Sequence, residues 1–235
     1  MSYQDNSLRP SWDRSSTYVN AGHRAIFDQT KHLPGWQAEG DSYKLYEMGF
    51  YAGDIILEIG TYAGRSAVVE LRGTLSKNDR IPRPQFFGID LNPAAIKRTH
   101  NILQQEGLAD YALLYYGTLQ DFAKHFDIRP TMVFVDGDHR YDGVHKDLIT
   151  LSEILEPGIP VLCHDYTNPE NDTGDLGVRR AVTEWEQAGF AEFMGVFGCS
   201  VLLVTSEKCR GKGRAWTAEV FAQRREGLLK DYGLL

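Results

Sequence analysis

The sequence predicts an α/β fold in which helices cover both faces of a seven-stranded mixed sheet. From residue 54 onward, short apolar runs alternate with longer stretches of helical period, as in parallel strands joined by crossover helices. Gly and Pro residues separate these segments, for example at Pro93 and Gly107. The last two apolar runs are almost adjacent, too close for a parallel crossover, and therefore predict an antiparallel hairpin.

The elements can be assigned in order along the chain. The predicted parallel strands are 54–60, 85–90, 111–117, 131–137 and 159–166. The predicted helices that follow them are 64–75, 93–106, 118–126, 141–155 and 177–189. The hairpin comprises 190–198 and 200–207, and further helices are predicted at 42–52 and 215–231. The result is a Rossmann-like sheet of five parallel strands plus a C-terminal antiparallel hairpin.

Length and composition predict one main domain. The chain has 235 residues and is 42% hydrophobic, enough to bury one sizeable core. We expect this domain to span 51–235 and residues 1–50 to form an N-terminal extension. That extension is rich in aromatic residues, which suit either a substrate lid or the subunit contacts of a homo-oligomer, a dimer or larger. Those aromatic residues include Trp12, Tyr18, Trp36, Tyr43 and Tyr46.

Charge and cysteine content exclude several partner classes. The 25 Lys and Arg residues are scattered among 32 Asp and Glu residues, and the net charge of -7 argues against nucleic acid as the partner. No apolar run approaches the roughly 18 residues needed to span a bilayer, so we expect no membrane partner. The three cysteines form no CxxC pair, which favours a reducing, cytoplasmic environment.

The end of the first predicted strand has the features of a ligand-binding turn. In an open α/β sheet, ligands bind beyond the carboxyl ends of the strands. The segment "LEIGTYAGRSAV" places Glu58, Gly60 and Gly64 around this turn, and glycines let the backbone approach a ligand. Burying the Glu58 carboxylate is costly unless a cation or a hydrogen-bond donor meets it. The pattern favours a ligand that carries a positive charge near Glu58. The alternative interpretation is that the glycines only form a tight structural turn.

The second strand ends in "FFGIDLNP", which places Asp90 where nucleotide-binding folds use an acid to bind both ribose hydroxyls. An alternative interpretation is that Asp90 and Asn92 cap the helix that begins near Pro93. The two roles are compatible. The sequence therefore predicts a ribose contact at Asp90.

Titratable residues are concentrated in "FVDGDHRYDGVHKDL", residues 134–148. Asp136 and Asp165 end adjacent predicted strands, so their carboxylates should converge and require a cation or a shared proton. His139 and His164 could remove a proton from a substrate hydroxyl near neutral pH. The alternative interpretation is that His139 caps a helix and His164 fills a strand end. On the helix that follows, we interpret Asp142, His145 and Asp147 as surface residues.

Five segments together resemble a known family. "ILEIGTYAGRSAV", "FFGIDLNP", "YYGTLQDF", "FVDGDHRYDGVHKDL", and "LCHDY" followed by "GVRRAV" resemble the successive motifs of class I S-adenosylmethionine-dependent methyltransferases, over about residues 50–207. The last two are similar to a subgroup that includes macrocin-type sugar O-methyltransferases and cephalosporin hydroxylase-like proteins. The resemblance implies S-adenosyl-L-methionine as the cofactor. It also implies O-methylation of a small hydroxylated acceptor, such as a sugar-bearing or aromatic secondary metabolite.

The resemblance also implies roles for individual residues. The turn after the first strand would border the methionine part of the cofactor, Asp90 would bind the ribose, and Leu91 would pack on the adenine. Asp136 and His139 would face the reacting centre, where His139, His164 and Asp136 are the catalytic candidates. The implied cofactor-binding residues are Glu58, Gly60, Thr61, Tyr62, Gly64, Ser66, Asp90, Leu91, Gly117, Thr118, Asp136 and His139.

A metal ion is a further implication of the resemblance. Several relatives bind Mg²⁺, which would place Asp136 and Asp165 as ligands in this sequence. Those relatives carry an acid directly before the final Asp, whereas His164 stands at that position here. Neutral imidazole is a poor ligand for magnesium and a good one for zinc or iron.

Two other functions remain open from the sequence. One is a metal-dependent hydrolase or hydroxylase that uses Asp136, His164 and Asp165. The other is a non-catalytic subunit that binds the cofactor without turnover. A methyltransferase would bind a methyl donor, whereas the hydrolase or hydroxylase would not. A methyltransferase would also turn over its acceptor, whereas the non-catalytic subunit would not.

Overall fold

The structure is a computed structural model that describes residue 12 and residues 18–77, 83–211 and 213–235. Parts of the predicted N-terminal extension, 1–11 and 13–17, lie outside these residues. Residues 78–82 of the loop before the second predicted strand also lie outside them.

The described residues form helices and strands in the order expected of an α/β fold. Two helices precede the first strand, and a 3₁₀ turn at Ala109–Tyr111 precedes the third. The elements are α1 (Ala21–Thr30), α2 (Glu39–Ala52), β1 (Ile55–Ile59), α3 (Arg65–Leu75), β2 (Gln85–Asp90), α4 (Pro93–Gln105), β3 (Ala112–Tyr116), α5 (Leu119–His125), β4 (Met132–Val135), α6 (Tyr141–Ile154), β5 (Pro160–Cys163), α7 (Glu170–Thr173), α8 (Val178–Gln187), β6 (Ala191–Phe197), β7 (Ser200–Thr205) and α9 (Ala218–Asp231).

The sheet has seven strands in the order β3-β2-β1-β4-β5-β7-β6. Strands β1 to β5 are parallel, and β7 runs antiparallel to both β5 and β6. This confirms the predicted mixed sheet and its C-terminal hairpin. The strand order reverses between β1 and β4, and such a switch point opens a crevice at the carboxyl ends of the strands.

Apolar side chains of the central strand alternate between two cores. Leu57 belongs to a cluster formed with residues of α5, α6, α8 and α9, whereas Ile56 belongs to a cluster formed with residues of α1 to α4. Successive side chains of a strand point to opposite faces, so β1 is buried on both sides. The predicted helices on both faces are confirmed.

The fifth strand is shorter than predicted. It ends at Cys163 rather than at residue 166, because Asp165 adopts a left-handed backbone with a φ of 57° that cannot continue a strand. The polar segment that follows contains the short helix α7, which the sequence pattern does not predict. This turn sets the directions in which His164 and Asp165 leave the sheet.

Helices α2 and α3 pack unusually closely through two glycines. A Cβ atom on Gly49 would lie 2.3 Å from the carbonyl oxygen of Glu70, and one on Gly73 would lie 2.3 Å from that of Tyr46. Both distances are far below van der Waals contact. Because α3 begins at the turn after β1, this packing also fixes α2 relative to the carboxyl edge of the sheet.

We expect Gly73→Ala to lower the free energy of unfolding by about 2 kcal/mol, because a methyl group there overpacks the helix contact. Urea denaturation followed by circular dichroism measures the change. Gly227→Ala in α9 is the matched control, since its added Cβ meets no atom within 4 Å. There alanine should stabilise the helix by about 0.5 kcal/mol. Equal urea midpoints for Gly73→Ala and Gly227→Ala would contradict the close packing of α2 against α3.

Candidate active site

A cavity of about 1210 Å³ lies at the carboxyl edge of the sheet, at the switch point. It holds most of the residues that the sequence predicts for a site. Glu58 and Gly64 are not part of its lining, but Glu58 is hydrogen-bonded to Ser66, which is. The predicted residues that line the cavity are Gly60, Thr61, Tyr62, Ser66, Asp90, Leu91, Gly117, Thr118, Asp136, His139, His164 and Asp165.

The turn between β1 and α3 depends on its two glycines. Gly60 has a φ of 89°, and a Cβ there would lie 2.0 Å from the carbonyl oxygen of Asp136. Gly64 caps the N-terminus of α3 with a φ of 83°. Both residues need the left-handed region that glycine adopts without strain. The turn therefore brings the end of β1 against the loop that follows β4.

Glu58 is fully buried at the end of β1. One of its carboxylate oxygens accepts a hydrogen bond from the Ser66 hydroxyl, and the other has no partner. Burial raises the pKa of Glu58 to about 8; the bond from Ser66 opposes this rise, and the charges of Asp136 and Asp90 add to it. A cationic ligand nearby would stabilise the ionised form, as the sequence pattern suggests.

Asp90 accepts two backbone hydrogen bonds, from the N–H of Tyr62 at 2.9 Å and from that of Asn92 at 2.8 Å. The cap of α4 is Asn92, whose side chain accepts from the N–H of Ala94 at 2.9 Å. Each carboxylate oxygen of Asp90 accepts one of these bonds and retains acceptor capacity. Asp90 thus fixes the β1–α3 turn and can still bind hydroxyl groups in the cavity.

The opposite end of the cavity is formed by the β3–α5 turn. The Thr118 hydroxyl caps α5 by accepting from the N–H of Asp121 at 3.0 Å. Gln120, which the sequence analysis did not single out, lines the cavity and donates to Asp147 Oδ1 at 3.0 Å. This end is polar and can bind the edge of a ligand by hydrogen bonds.

The interpretation of Asp147 as a surface residue is wrong. Its side chain is buried, with 9% of the residue exposed. Burial raises the pKa of Asp147 to about 6, with a smaller opposing contribution from the Gln120 hydrogen bond. The sequence contained a signal for the burial of Asp147. Val144, Leu148 and Leu151 share the buried face of α6, and Asp147 follows Val144 by three residues, so it falls on that face.

Two acids and two histidines converge where the loops after β4 and β5 line the cavity. His139 lies between them, with Nε2 3.3 Å from Asp136 Oδ1 and Nδ1 3.1 Å from Asp165 Oδ2. His164 Nδ1 lies 3.0 Å from Asp136 Oδ1 and 3.7 Å from Asp165 Oδ1. The convergence of Asp136 and Asp165 expected from adjacent strands is therefore present.

The charges of this cluster stabilise one another. The hydrogen bond with Asp136 raises the pKa of His139, and burial partly opposes the rise. For Asp165, the contact with His164 lowers the pKa to about 2. Burial lowers the pKa of His164, but contacts with Asp136, Asp165 and Asp41 outweigh burial and raise it far above its usual range.

Asp41, near the start of α2, reaches this cluster from the N-terminal part of the chain and was missed by the sequence analysis. Its carboxylate is fully buried and accepts bonds from the N–H groups of Ala38 at 2.7 Å and Cys199 at 3.0 Å. His164 Nε2 lies 3.1 Å from Cys199 Sγ and 3.7 Å from Asp41 Oδ2. No local pattern marks this contact, because α2, β5 and the β6–β7 turn come from distant segments.

Trp36 also lines the cavity, immediately before α2. It is 66% exposed, and its ring centroid lies 5.7 Å from that of His164. Part of the predicted N-terminal extension thus forms a wall of the site. The aromatic residues of this extension were the signal in the sequence that it contributes to a site.

The sheet order and the position of the cavity define the class I methyltransferase fold, and solved structures share it. The SAH-bound O-methyltransferase from Bacillus cereus is 12% identical, with a TM-score of 0.60 over 80% of this chain and 92% of that one. SAH-bound methyltransferase from Podospora anserina is 16% identical, with a TM-score of 0.61 over 83% and 92%. SAM-bound O-methyltransferase TomG from Streptomyces achromogenes is 17% identical, with a TM-score of 0.58 over 84% and 90%.

The central part of the chain is also similar to a known protein family. Residues 57–166 match the family described as "Methyltransferase domain". No curated protein matches the sequence. This match and the shared fold agree with the resemblance drawn from the motifs. Within the residues that the structure describes, no helix is both long and apolar enough to cross a membrane.

The raised pKa of Asp147 predicts a pH-dependent cost to stability. Because the folded-state pKa of about 6 lies above the usual 3.8, ionising this carboxyl opposes folding. That cost is absent below about pH 4, grows between pH 4 and 6, and is complete above pH 6. Asp147→Asn should therefore raise the free energy of unfolding by about 2 kcal/mol at pH 7.5 and by much less at pH 4.5. Denaturant titrations at the two pH values measure it.

Asp142→Asn is the matched control, since Asp142 lies on the same helix and its side chain is exposed. It should change stability by less than about 0.5 kcal/mol at either pH. A gain at Asp147 that is equal at pH 4.5 and 7.5 would show that burial of charge is not its cause.

Proposed function

We propose that this protein transfers a methyl group from S-adenosyl-L-methionine to a hydroxyl group of a small molecule. The observation that carries the proposal is the cavity itself: a ribose-type acid, Asp90, and a histidine held by two carboxylates, His139, share one space. Its volume of about 1210 Å³ exceeds the roughly 300–1000 Å³ of common ligand pockets. Such a volume suits a cofactor and an acceptor bound together.

The cofactor would lie along the strand ends. Its ribose hydroxyls would bind Asp90, and its adenine would lie between Leu91 and the polar end at Gly117 and Thr118. Its methionine part, with the sulfonium charge, would lie over the turn that contains Gly60, Thr61, Tyr62 and Ser66. Glu58 accepts a hydrogen bond from Ser66 of that turn, and the sulfonium charge would favour the ionised form of its carboxyl.

His139 would act as the base. In an in-line displacement the acceptor oxygen attacks the methyl carbon, the carbon–sulfur bond breaks and S-adenosylhomocysteine leaves. The acceptor hydroxyl must lose its proton, and a base with a raised pKa accepts it more readily. His139 is the better placed of the two histidines, because 36% of its side chain is exposed compared with 4% for His164. Asp136 and Asp165 would orient its ring.

Trp36 and the segment before α2 would contact the acceptor. An exposed aromatic ring at the mouth of the site suits the apolar face of a sugar or an aromatic metabolite. This placement supports a lid role for the N-terminal residues. We further propose that the protein is a homo-oligomer and is located in the cytoplasm.

The cofactor part of the proposal is tested by calorimetric titration with S-adenosylhomocysteine. We expect measurable binding by the full chain and a loss of at least tenfold in affinity in Asp90→Ala, or about 1.4 kcal/mol, because the ribose contact is removed. Asp28→Ala, at an exposed position on α1, is the matched control and should bind as the wild type does. Thermal unfolding checks that each variant is folded. Absence of binding at millimolar ligand would exclude the methyltransferase function.

The catalytic part is tested with His139→Gln and a library of hydroxylated metabolites. We expect methyl transfer to fall by at least about 100-fold while affinity for S-adenosylhomocysteine stays within threefold, since only the base is lost. Wild-type transfer should fall as the pH drops through the raised pKa of His139, because the protonated ring cannot accept a proton. Cofactor binding without turnover of any acceptor would indicate a non-catalytic subunit. Undiminished transfer by the variant would exclude His139 as the base.

A further inference from the structure

We propose that Arg65 binds a carboxylate of the acceptor, so that the site selects hydroxylated acids over neutral molecules. This inference rests on the proposed function, since it names the acceptor class of the same site. Arg65 is the first residue of α3, and its side chain lines the cavity although only 6% of the residue is exposed. Buried charges in proteins are usually paired, so the partners of this guanidinium indicate what it binds.

Two nitrogen atoms of the Arg65 guanidinium lack hydrogen-bond partners. Nη1 donates to the carbonyl oxygen of Gly35 at 3.0 Å. Nε and Nη2 are buried, and among the described residues no atom accepts a hydrogen bond from either of them. Unsatisfied donors on a buried charged group cost free energy, which an anion bound in the cavity would recover.

The two unpartnered nitrogens are the pair that binds a carboxylate. Nε and Nη2 lie on one edge of the planar guanidinium, so that their N–H groups can donate to both oxygens of one carboxylate. Arg140 shows this geometry, with Nε 2.9 Å from Asp138 Oδ1 and Nη2 2.7 Å from Asp138 Oδ2. Arg65 has the same edge without a carboxylate. A ligand carboxylate would therefore complete it.

The charges near Arg65 do not replace such a ligand. Burial lowers the pKa of Arg65, and the negative charge of Asp41 opposes this effect. The Asp41 carboxylate already accepts hydrogen bonds from the N–H groups of Ala38, Cys199 and Ser200. Arginine remains protonated at neutral pH even when its pKa is lowered. The guanidinium therefore keeps a positive charge for an anion from the cavity.

The guanidinium has to rotate toward the cavity to bind the anion, because both free nitrogens are shielded from solvent. Rotation breaks the hydrogen bond to Gly35, whose carbonyl is a neutral acceptor. The charge-assisted bonds that replace it are roughly twice as strong. The ring of Phe27, with its centroid 5.5 Å from Arg65 Cζ, also stabilises the cation. The exchange of one neutral acceptor for a carboxylate is therefore favourable.

The position of Arg65 favours the acceptor as the source of the carboxylate. The methionine part of the cofactor also carries one, but the N-terminus of α3 can bind it through free backbone N–H groups, since no described side chain caps this helix. The Arg65 side chain instead contacts Gly35, which adjoins Trp36 on the acceptor wall of the proposed function. The two carboxylates would thus have separate binding groups.

The test uses calorimetric titrations of the full chain, with and without saturating S-adenosylhomocysteine. The probes are gallate, mandelate and glucuronate, each compared with its neutral carboxamide. We expect at least one acid to bind at least tenfold more tightly than its amide, because only the acid completes the guanidinium edge. Arg65→Met should remove this preference while affinity for S-adenosylhomocysteine stays within about threefold of the wild type.

Arg65→Lys keeps the charge without the paired N–H groups and should retain only part of the preference for the acid. Thermal unfolding checks that each variant is folded, and Arg65→Lys provides the test if Arg65→Met does not fold. Arg224→Met is the matched control, because Arg224 is exposed on α9 and does not line the cavity. It should prefer the acid as the wild type does.

Absence of any acid preference in the wild type, or an undiminished preference in every folded Arg65 variant, overturns the proposal. A tenfold loss of affinity for S-adenosylhomocysteine in Arg65→Met, with unchanged affinity for methylthioadenosine, also overturns it. Methylthioadenosine lacks the amino-acid part, so that result would assign Arg65 to the cofactor carboxylate.

The same titrations separate this inference from the proposed function. Binding of S-adenosylhomocysteine by a wild type that does not prefer acids would overturn this inference alone. An acid preference that Arg65→Met removes, in a chain that does not bind S-adenosylhomocysteine, would instead overturn the proposed function.

Discussion

The close approach of Gly60 to the backbone of Asp136 is the constraint on which the rest of the site depends. Gly60 donates to the carbonyl of Ile89 at 2.8 Å, and Asp136 donates to that of Ile59 at 2.8 Å. These bonds continue the pairing of β1 with β2 and β4 beyond the strand ends. Any side chain at residue 60 would collide with the Asp136 carbonyl, so only glycine allows the three strand ends to close together. Asp90 and Asp136 consequently open onto one cavity.

A concentration of negative charge follows from that closure. Glu58, Asp136 and Asp165 all lie at the carboxyl edge, where Glu58 and Asp165 are buried and Asp136 is half-buried. Buried carboxylates at short distances must be neutralised by protons, cations or hydrogen bonds. The raised pKa of Glu58 and the lowered pKa of Asp165 are two outcomes of that requirement. A sulfonium cofactor is a ligand that such an edge would favour.

Helix α2 connects the N-terminal part of the chain to this edge. Its contact with α3 through Gly49 and Gly73 holds it on one face of the sheet, and Asp41 then reaches His164 and Cys199. The same placement puts Trp36 beside His164. A change in the segment before α2 would therefore affect both the acceptor side of the cavity and the orientation of His164.

Local patterns in the sequence were sufficient for the mixed sheet with its C-terminal hairpin and for placing Gly60, Asp90, Asp136 and His139 just after strands or at their ends. They were sufficient because period, glycine turns and strand ends are properties of neighbouring residues. Only the tertiary structure decided the roles of Asp41 and Cys199, since Asp41 and its partner Ser200 are 159 residues apart. A buried contact of that kind depends on how helices pack across the sheet, which no local period encodes.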